Sequence, residues 1–323
     1  AVAITIGLTV ANVIEPGKQI PQEERNRMIG AYQDESDEFA EEFEVDIVNF
    51  FLDIVPRNPF KAISTGNMIQ IVFLAVFFGV TLTLIGRDKS KPVLDFFQGV
   101  GDTMVKMVEI VMKLAPYGVF ALIAATIANF GFGIIMTLLW YIIAVIFGLL
   151  LQTFLVYGSL VKFGGKVSVM NFIKGVRNAQ AIAFSTSSSA ATLPVTIDCV
   201  ENNLGVKKEI SGFVLPLGAT INMDGTALYQ GVAAMFIAQI YGIDLQVTEQ
   251  ITIVITAVLA SIGTAPVPGV GIIMLVMILQ SVNIPPQGIA LILGVDRILD
   301  MMRTVTNVTG DSAVSVAIQG SEE

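Results

Sequence analysis

Long runs of the chain carry no charge. Residues 62–86, 114–161, 178–197 and 250–295 are uncharged, and 210–243 holds a single acid, Asp224. A membrane-crossing helix needs about 20 mostly apolar residues, so these runs are long enough to enter a bilayer. None shows the strict alternation of a strand, and the pattern predicts helical spans rather than a barrel. A further segment, 291–318, is apolar in background yet holds Asp296, Arg297, Asp300, Arg303 and Asp311. Residues 1–14 are apolar and stop at Glu15-Pro16-Gly17. They are too few to cross alone and lack the basic start and small-residue cleavage site of a signal peptide. They read as the second half of a helix whose first half is not in this sequence.

Charge sits between the apolar runs. Residues 18–53 contain eleven acids and three bases, while bases cluster at Arg87, Lys89 and Lys91, at Lys162, Lys166, Lys174 and Arg177, and at Lys207 and Lys208. The positive-inside rule places the basic loops in the cytoplasm and the acidic loop outside, with a short outer turn near 129–133. Composition agrees with a multi-span protein of a cell membrane. Charged residues are 14%, where soluble domains carry about 25%, and mean hydropathy is +0.75. A net charge of −9 argues against a nucleic-acid partner. With no His and one Cys, Cys199, disulfides, Cys/His zinc sites and Ser–His or Cys–His nucleophiles are excluded. The available chemistry is that of carboxylates, Arg, hydroxyls, amides and backbone.

Two uncharged runs are broken in the middle. The run 178–197 contains Ser185-Thr186-Ser187-Ser188-Ser189, five hydroxyl residues that compete for backbone hydrogen bonds and suit a helix interior poorly. Basic residues on both flanks predict a segment that enters and returns, a re-entrant hairpin with a serine-rich tip; the alternative is a plain span with a polar packing face. The run 250–295 is broken by Ser261 to Gly271, which holds Pro266, Pro268 and three glycines. Each broken segment is followed by a span with buried charge, so hairpin plus polar helix occurs twice. Paired interrupted segments point to a transporter binding site at mid-membrane depth.

The last span carries a polar stripe. At 100° per residue, Asp296, Asp300, Arg303, Thr304, Asn307 and Asp311 share an arc of about 100°. A charge at the centre of a span costs about 2.5–3.5 kcal/mol, so the stripe faces the interior. A salt-bridge ladder explains one acid beside Arg303 but leaves Asp311 without a base. In the preceding span Asp224 lies within Gly218-Ala219-Thr220-Ile221-Asn222-Met223-Asp224-Gly225-Thr226. The glycines suggest unwinding there, which would expose carbonyl oxygens beside a carboxylate. Such an oxygen set suits a hard monovalent or divalent cation; the alternative is a satisfied kink residue.

Ser187-Ser188-Ser189, the stretch Asn222 to Thr226, and Asp300 through Arg303-Thr304, Asn307 and Asp311 resemble the glutamate transporter family, the cation-coupled symporters of dicarboxylates and acidic amino acids, over the whole chain. The resemblance implies an all-α multi-span transporter with two re-entrant hairpins, inverted repeats, a homotrimer in the bilayer and an elevator motion, with the first spans absent here. It implies that 1–15 is the second half of span 3, 16–44 an acidic extracellular loop, and 45–128 the scaffold spans 4 and 5. Residues 129–323 would be the transport domain: span 6, hairpin 1 at 168–204, span 7 at 209–241, hairpin 2 at 248–282 and span 8 at 287–318. For the substrate it implies Ser187 and Ser189 in the first hairpin tip, with Ser189 and Asn307 on the main-chain carboxylate. Thr226 and Arg303 would hold the side-chain carboxylate, Asp300 and Thr304 the ammonium, and Val267 and Gly271 would offer backbone. One sodium site would use Gly218, Asn222, Asn307 and Asp311. A second would use Thr220, Ser261, Ile262 and Thr264, and a third Asn222 and Asp224. Archaeal members carry Arg where this chain has Ser187, and animal members carry Arg where it has Met301.

Charge arithmetic bears on coupling. Asp224, Asp300 and Asp311 against Arg303 leave −2, taking Asp296 and Arg297 to cancel, and an acidic amino acid makes −3. About three Na⁺ would neutralise the loaded site before it crosses the membrane. Arg303 suits a carboxylate held by two hydrogen bonds, and Asp300 an ammonium; together they favour aspartate or glutamate. A Na⁺- or H⁺-coupled C4-dicarboxylate symporter is the alternative, with a substrate-gated channel behind it. No enzymatic activity is expected: the Gly-x-Gly-Asp motif of an intramembrane aspartyl protease is not matched before Asp311. Asn307-Val308-Thr309 reads as a glycosylation sequon but falls inside a span, and Trp140 and Met104 to Met112 read as packing residues.

Overall fold

The computed structural model describes residues 1–23, 25–26, 55–65, 68–112, 117, 138–262 and 270–322. Most of the acidic segment, the turn near 129–133 and the tip of the second broken run, with Thr264, Pro266 and Val267, lie outside the described residues. Among those described there is no strand; the protein is helical, as its apolar pattern predicts. The chain separates into two compact units.

The smaller unit contains helices α2 (Pro59–Thr65), α3 (Met68–Leu84) and α4 (Arg87–Met112). Asn58 starts α2 by accepting from the backbone N–H groups of Phe60 and Lys61 at 3.0 and 3.2 Å, which satisfies donors that the first turn leaves orphaned. The α3–α4 turn uses Gly86 at φ +87°, a conformation that glycine adopts without strain.

The larger unit holds the remaining helices. α1 (Val2–Ile14) lies against α9 (Asp224–Tyr241). Gly7 makes that approach possible, because a β-carbon there would stand 2.5 Å from the carbonyl oxygen of Leu228. Small residues at a crossing let two backbones close on each other where the hydrophobic effect supplies little force. α5 (Leu139–Leu151) continues through two π-helical segments, Gln152–Tyr157 and Leu160–Gly164. This continuous helix, 26 residues long, is the one among the described residues long and apolar enough to cross a membrane by itself.

The first broken run folds as two helices, α6 (Val169–Thr186) and α7 (Ser189–Asp198), which lie against each other. The hydroxyl cluster performs the break that its chemistry predicts. Ser187 ends α6 in the left-handed conformation at φ 51°, and Ser188 caps α7 by accepting from the N–H of Ala191 at 3.2 Å. α8 (Lys208–Ile221) stops at Asn222 and Met223, whose backbone is not helical, and α9 restarts at Asp224. The interruption expected from the glycines is therefore present, two residues wide. α10 (Val247–Ile262) and α11 (Val270–Ser281) also lie against each other.

α12 (Ala290–Glu322) has 33 residues, about 50 Å at 1.5 Å per residue. α6, α7, α8 and α9 all contact it. Residues Gly225 to Ile240 of α9 are buried without a break, so α9 and α12 form the centre about which the other helices assemble. Tyr141 on α5 stacks against Phe236 on α9, ring centres 4.7 Å apart.

Candidate functional site

The polar stripe of α12 is buried along its whole length: Asp296, Asp300, Arg303, Thr304, Asn307 and Asp311 all face the interior. Arg303 is its centre, at 1% exposure. Its Nη2 donates to Asp300 Oδ1 at 2.8 Å, its Nη1 lies 3.1 Å from Asp296 Oδ1, and its guanidinium sits 3.8 Å above the ring centre of Tyr229. The contact with Asp296 has ion-pair distance but not hydrogen-bond alignment, so Nε and Nη1 have no hydrogen-bond acceptor among the described residues. Buried donors of that kind are expensive unless something meets them.

Two expected neighbours are next to Arg303. Gly271, near the start of α11, comes so close that a β-carbon would meet Thr226 Cγ2 at 3.1 Å and Arg303 Nη1 at 3.4 Å. Gln230 holds that backbone in place, donating to the Gly271 carbonyl at 3.2 Å. Thr226 joins Asn307, whose Nδ2 lies 3.4 Å from Thr226 Oγ1, while Asn307 Oδ1 accepts from the N–H of Gly225 at 2.7 Å. The Thr304 hydroxyl donates to the Asp300 carbonyl at 2.9 Å.

One turn beyond Asn307 on α12, Asp311 accepts from Asn222 Nδ2 at 2.8 Å. Gly218 is pressed on the same carboxylate; a β-carbon there would lie 2.6 Å from Asp311 Oδ1. Gly218, Asn222, Asn307 and Asp311 thus belong to one neighbourhood around the α8–α9 break. Thr220 lies in the last turn of α8, the part of a helix whose carbonyls have no following turn to donate to them. The Thr220 hydroxyl itself returns to the Pro216 carbonyl at 3.2 Å.

Asp224 points elsewhere. Its Oδ2 accepts from Tyr157 Oη at 2.9 Å and from Gln152 Nε2 at 3.1 Å, both on the first π segment of α5. Tyr157 also touches α12, because a β-carbon on Gly310 would stand 2.5 Å from its hydroxyl. Ser187 and Ser189 are buried in the α6–α7 tip, and the Ser187 hydroxyl has no hydrogen-bond partner among the described residues. Ser261, in the last turn of α10, donates its hydroxyl to the Val258 carbonyl at 2.9 Å, and Ile262 is the last residue of that helix.

One assumption is corrected. Asp296 and Arg297 do not cancel each other: Asp296 faces Arg303, and Arg297 Nη1 lies 3.8 Å from Asp300 Oδ2. Neighbouring residues on a helix point about 100° apart, whereas positions 296 and 303 return to the same face after two turns. The sum is unchanged, with two acids facing two bases and Asp224 and Asp311 left over. Sequence reasoning missed Tyr229, Gln152 and Tyr157 as partners of the buried charges. Gln152 was the available signal, as a polar residue inside an otherwise apolar run.

This arrangement belongs to a helical membrane transporter. The chain is a member of the sodium:dicarboxylate symporter family, whose model matches residues 1–321. It is 40% identical over 316 residues to a proton/sodium-glutamate symport protein of Bacillus caldotenax, covering 98% of this chain and 74% of that one. It is 39% identical over 318 residues to a proton/glutamate-aspartate symporter of Escherichia coli (strain K12), covering 98% and 72%. A C4-dicarboxylate transport protein of Rhodospirillum rubrum is 34% identical over 317 residues, covering 98% and 70%.

Proposed function

We propose that this protein is a secondary active transporter that carries acidic amino acids, aspartate or glutamate, across a cell membrane together with Na⁺ or H⁺. The observation that carries the reading is the buried Arg303, with two donor atoms unmet by hydrogen bonds among the described residues and Thr226, Asn307 and Gly271 gathered round it. A guanidinium so placed is always charged and recognises a carboxylate by charge-assisted hydrogen bonds. In this reading Arg303 and Thr226 take the side-chain carboxylate, Asn307 and the Ser187–Ser189 tip the main-chain carboxylate, and Asp300 with Thr304 the ammonium. Val267 and Gly271 supply backbone.

Coupling follows from charge. Asp224 and Asp311 are the acids with no base among their described side-chain hydrogen bonds, and an acidic amino acid adds one more negative charge. About three monovalent cations neutralise the set, one at Asp311 with Gly218, Asn222 and Asn307, one at the helix ends with Thr220, Ser261, Ile262 and Thr264, and one near Asp224 and Asn222. Protons on the same carboxylates serve the same balance, and the relatives include proteins named for proton as well as sodium symport.

The α6–α7 and α10–α11 pairs are read as re-entrant hairpins that gate the site from opposite sides, as inverted repeats. The body 129–323 moves as an elevator against a scaffold within 45–128, in a homotrimer embedded in lipid. The acidic loop 16–44 faces outward and the basic loops face the cytoplasm. Helix–helix contact within each pair and the two-fold recurrence of break plus charged helix support the two hairpins and their repeat.

The test is uptake of labelled aspartate into proteoliposomes with an imposed Na⁺ or H⁺ gradient. Accumulation that follows either gradient is expected. Uptake indifferent to both, or an ohmic current without substrate, ends the proposal. Preference for succinate over aspartate would favour a C4-dicarboxylate symporter.

A further inference from the structure

Asp300 has a guanidinium on each oxygen. Arg303 donates to Oδ1 at 2.8 Å, and Arg297 Nη1 faces Oδ2 at 3.8 Å. The two arginines are held very differently. Arg303 is 1% exposed and clamped by Asp296, Asp300 and the face of Tyr229. The side chain of Arg297 is 25% exposed, its ion pair is too long for a hydrogen bond, and its Nε is buried without a hydrogen-bond partner among the described residues. Arg297 is therefore the arginine that leaves Asp300 more easily than Arg303 does.

We infer that Arg297 is a specificity-determining residue, a resident cation that an incoming ammonium group must displace from Asp300 Oδ2. This rests on the function proposed above and deepens it. An amino acid brings its own positive charge to Asp300, so Arg297 swings toward solvent when such a substrate binds. A dicarboxylate without an amine brings none, and Arg297 then stays and keeps Asp300 from repelling the ligand. The residue narrows the difference in affinity between the two substrate classes, weakening the first and permitting the second.

The experiment is calorimetric titration of the purified full chain with aspartate and with succinate at saturating Na⁺, for the native protein, Arg297→Gln, Arg297→Met and Arg297→Lys. An ion pair near 4 Å in a partly wet site supports at least about a tenfold effect. Arg297→Gln and Arg297→Met should each bind aspartate about tenfold tighter and succinate about tenfold weaker, and Arg297→Lys should stay near the native ratio. In an Asp300→Ser background, Arg297→Gln should leave the ratio unchanged, which a purely structural role would not produce. An unchanged aspartate-to-succinate ratio in both uncharged variants, or parallel weakening of both ligands, overturns the inference. A native protein that binds neither ligand overturns the proposed function itself, and that result is distinct because it appears before any substitution is made.

Discussion

The carbonyl oxygen of Arg303 stands 2.5 Å from the point that a β-carbon on Gly225 would occupy. The first turn of α9 and the middle of α12 are thus in backbone contact at the binding centre. That contact brings the Gly225 N–H to Asn307 Oδ1 at 2.7 Å and Thr226 to Asn307 Nδ2 at 3.4 Å. Gly225→Ala cannot be absorbed by a rotamer change, because the obstacle is backbone. We expect a loss of about 1–3 kcal/mol in stability and of aspartate binding with it, read by thermal unfolding and titration. Gly212→Ala, where a β-carbon meets open space, should be neutral or stabilising by up to about 1 kcal/mol. Equal effects at both positions would show that the close approach does not matter.

Arg303 holds two buried carboxylates in place as well as facing the substrate. Arg303→Ala removes the base that Asp296 faces and leaves Asp300 the longer contact with Arg297, and breaking a buried pair costs about 3–5 kcal/mol. Loss of acidic-substrate binding is expected together with a large drop in melting temperature. Arg303→Lys keeps one charge but cannot span both acids and stack on Tyr229 at once; it should fold and lose at least about tenfold in aspartate affinity. Asp300→Ser removes the ammonium partner and should shift preference toward succinate. Full aspartate affinity in Arg303→Lys would remove the planar guanidinium from the account.

The features readable in the sequence were those set by local periodicity. The stripe of α12 follows from 3.6 residues per turn, and the breaks at Ser187–Ser188 and Asn222–Met223 follow from hydroxyl and glycine chemistry acting within a few residues. Pairings across the fold were not readable. Arg303 on the ring of Tyr229 joins two helices whose relative rotation no single span encodes. The partners of Asp224 lie 67 and 72 residues before it. They face one way because a π segment, with its i to i+5 repeat, aligns Gln152 with Tyr157. An ideal α-helix would turn those two side chains roughly 140° apart.

Both of those partners donate to the same oxygen, Asp224 Oδ2. Hydrogen bonds to a charged acceptor contribute about 1.5–3 kcal/mol each, but two donors on one atom share its charge. Tyr157→Phe and Gln152→Leu should each destabilise the Na⁺-free protein by about 1–2 kcal/mol. The double variant should lose more than their sum, because each single variant lets the remaining donor strengthen, with a coupling of at least about 0.5 kcal/mol. Chemical unfolding of the four proteins closes the cycle. Strict additivity would mean that the two donors act on Asp224 independently.

Asp311 tests the coupling most directly. It is 3% exposed, and among the described residues its side chain accepts one hydrogen bond, from the neutral amide of Asn222. Gly218 is pressed so close on that carboxylate that a side chain there would collide with it. An acid buried among neutral groups pays a desolvation cost that a bound cation or proton relieves. Asp311→Asn keeps the shape and the amide contact but removes the charge. If a coupling ion is held there, the variant should need at least about tenfold more Na⁺ for half-maximal aspartate binding, with a shallower dependence on Na⁺ concentration. In proteoliposomes it should accumulate aspartate less steeply for a given gradient, because fewer ions move per cycle. A Na⁺ titration identical to that of the native protein would place the coupling ions elsewhere and leave Asp311 as a partner of Asn222 alone.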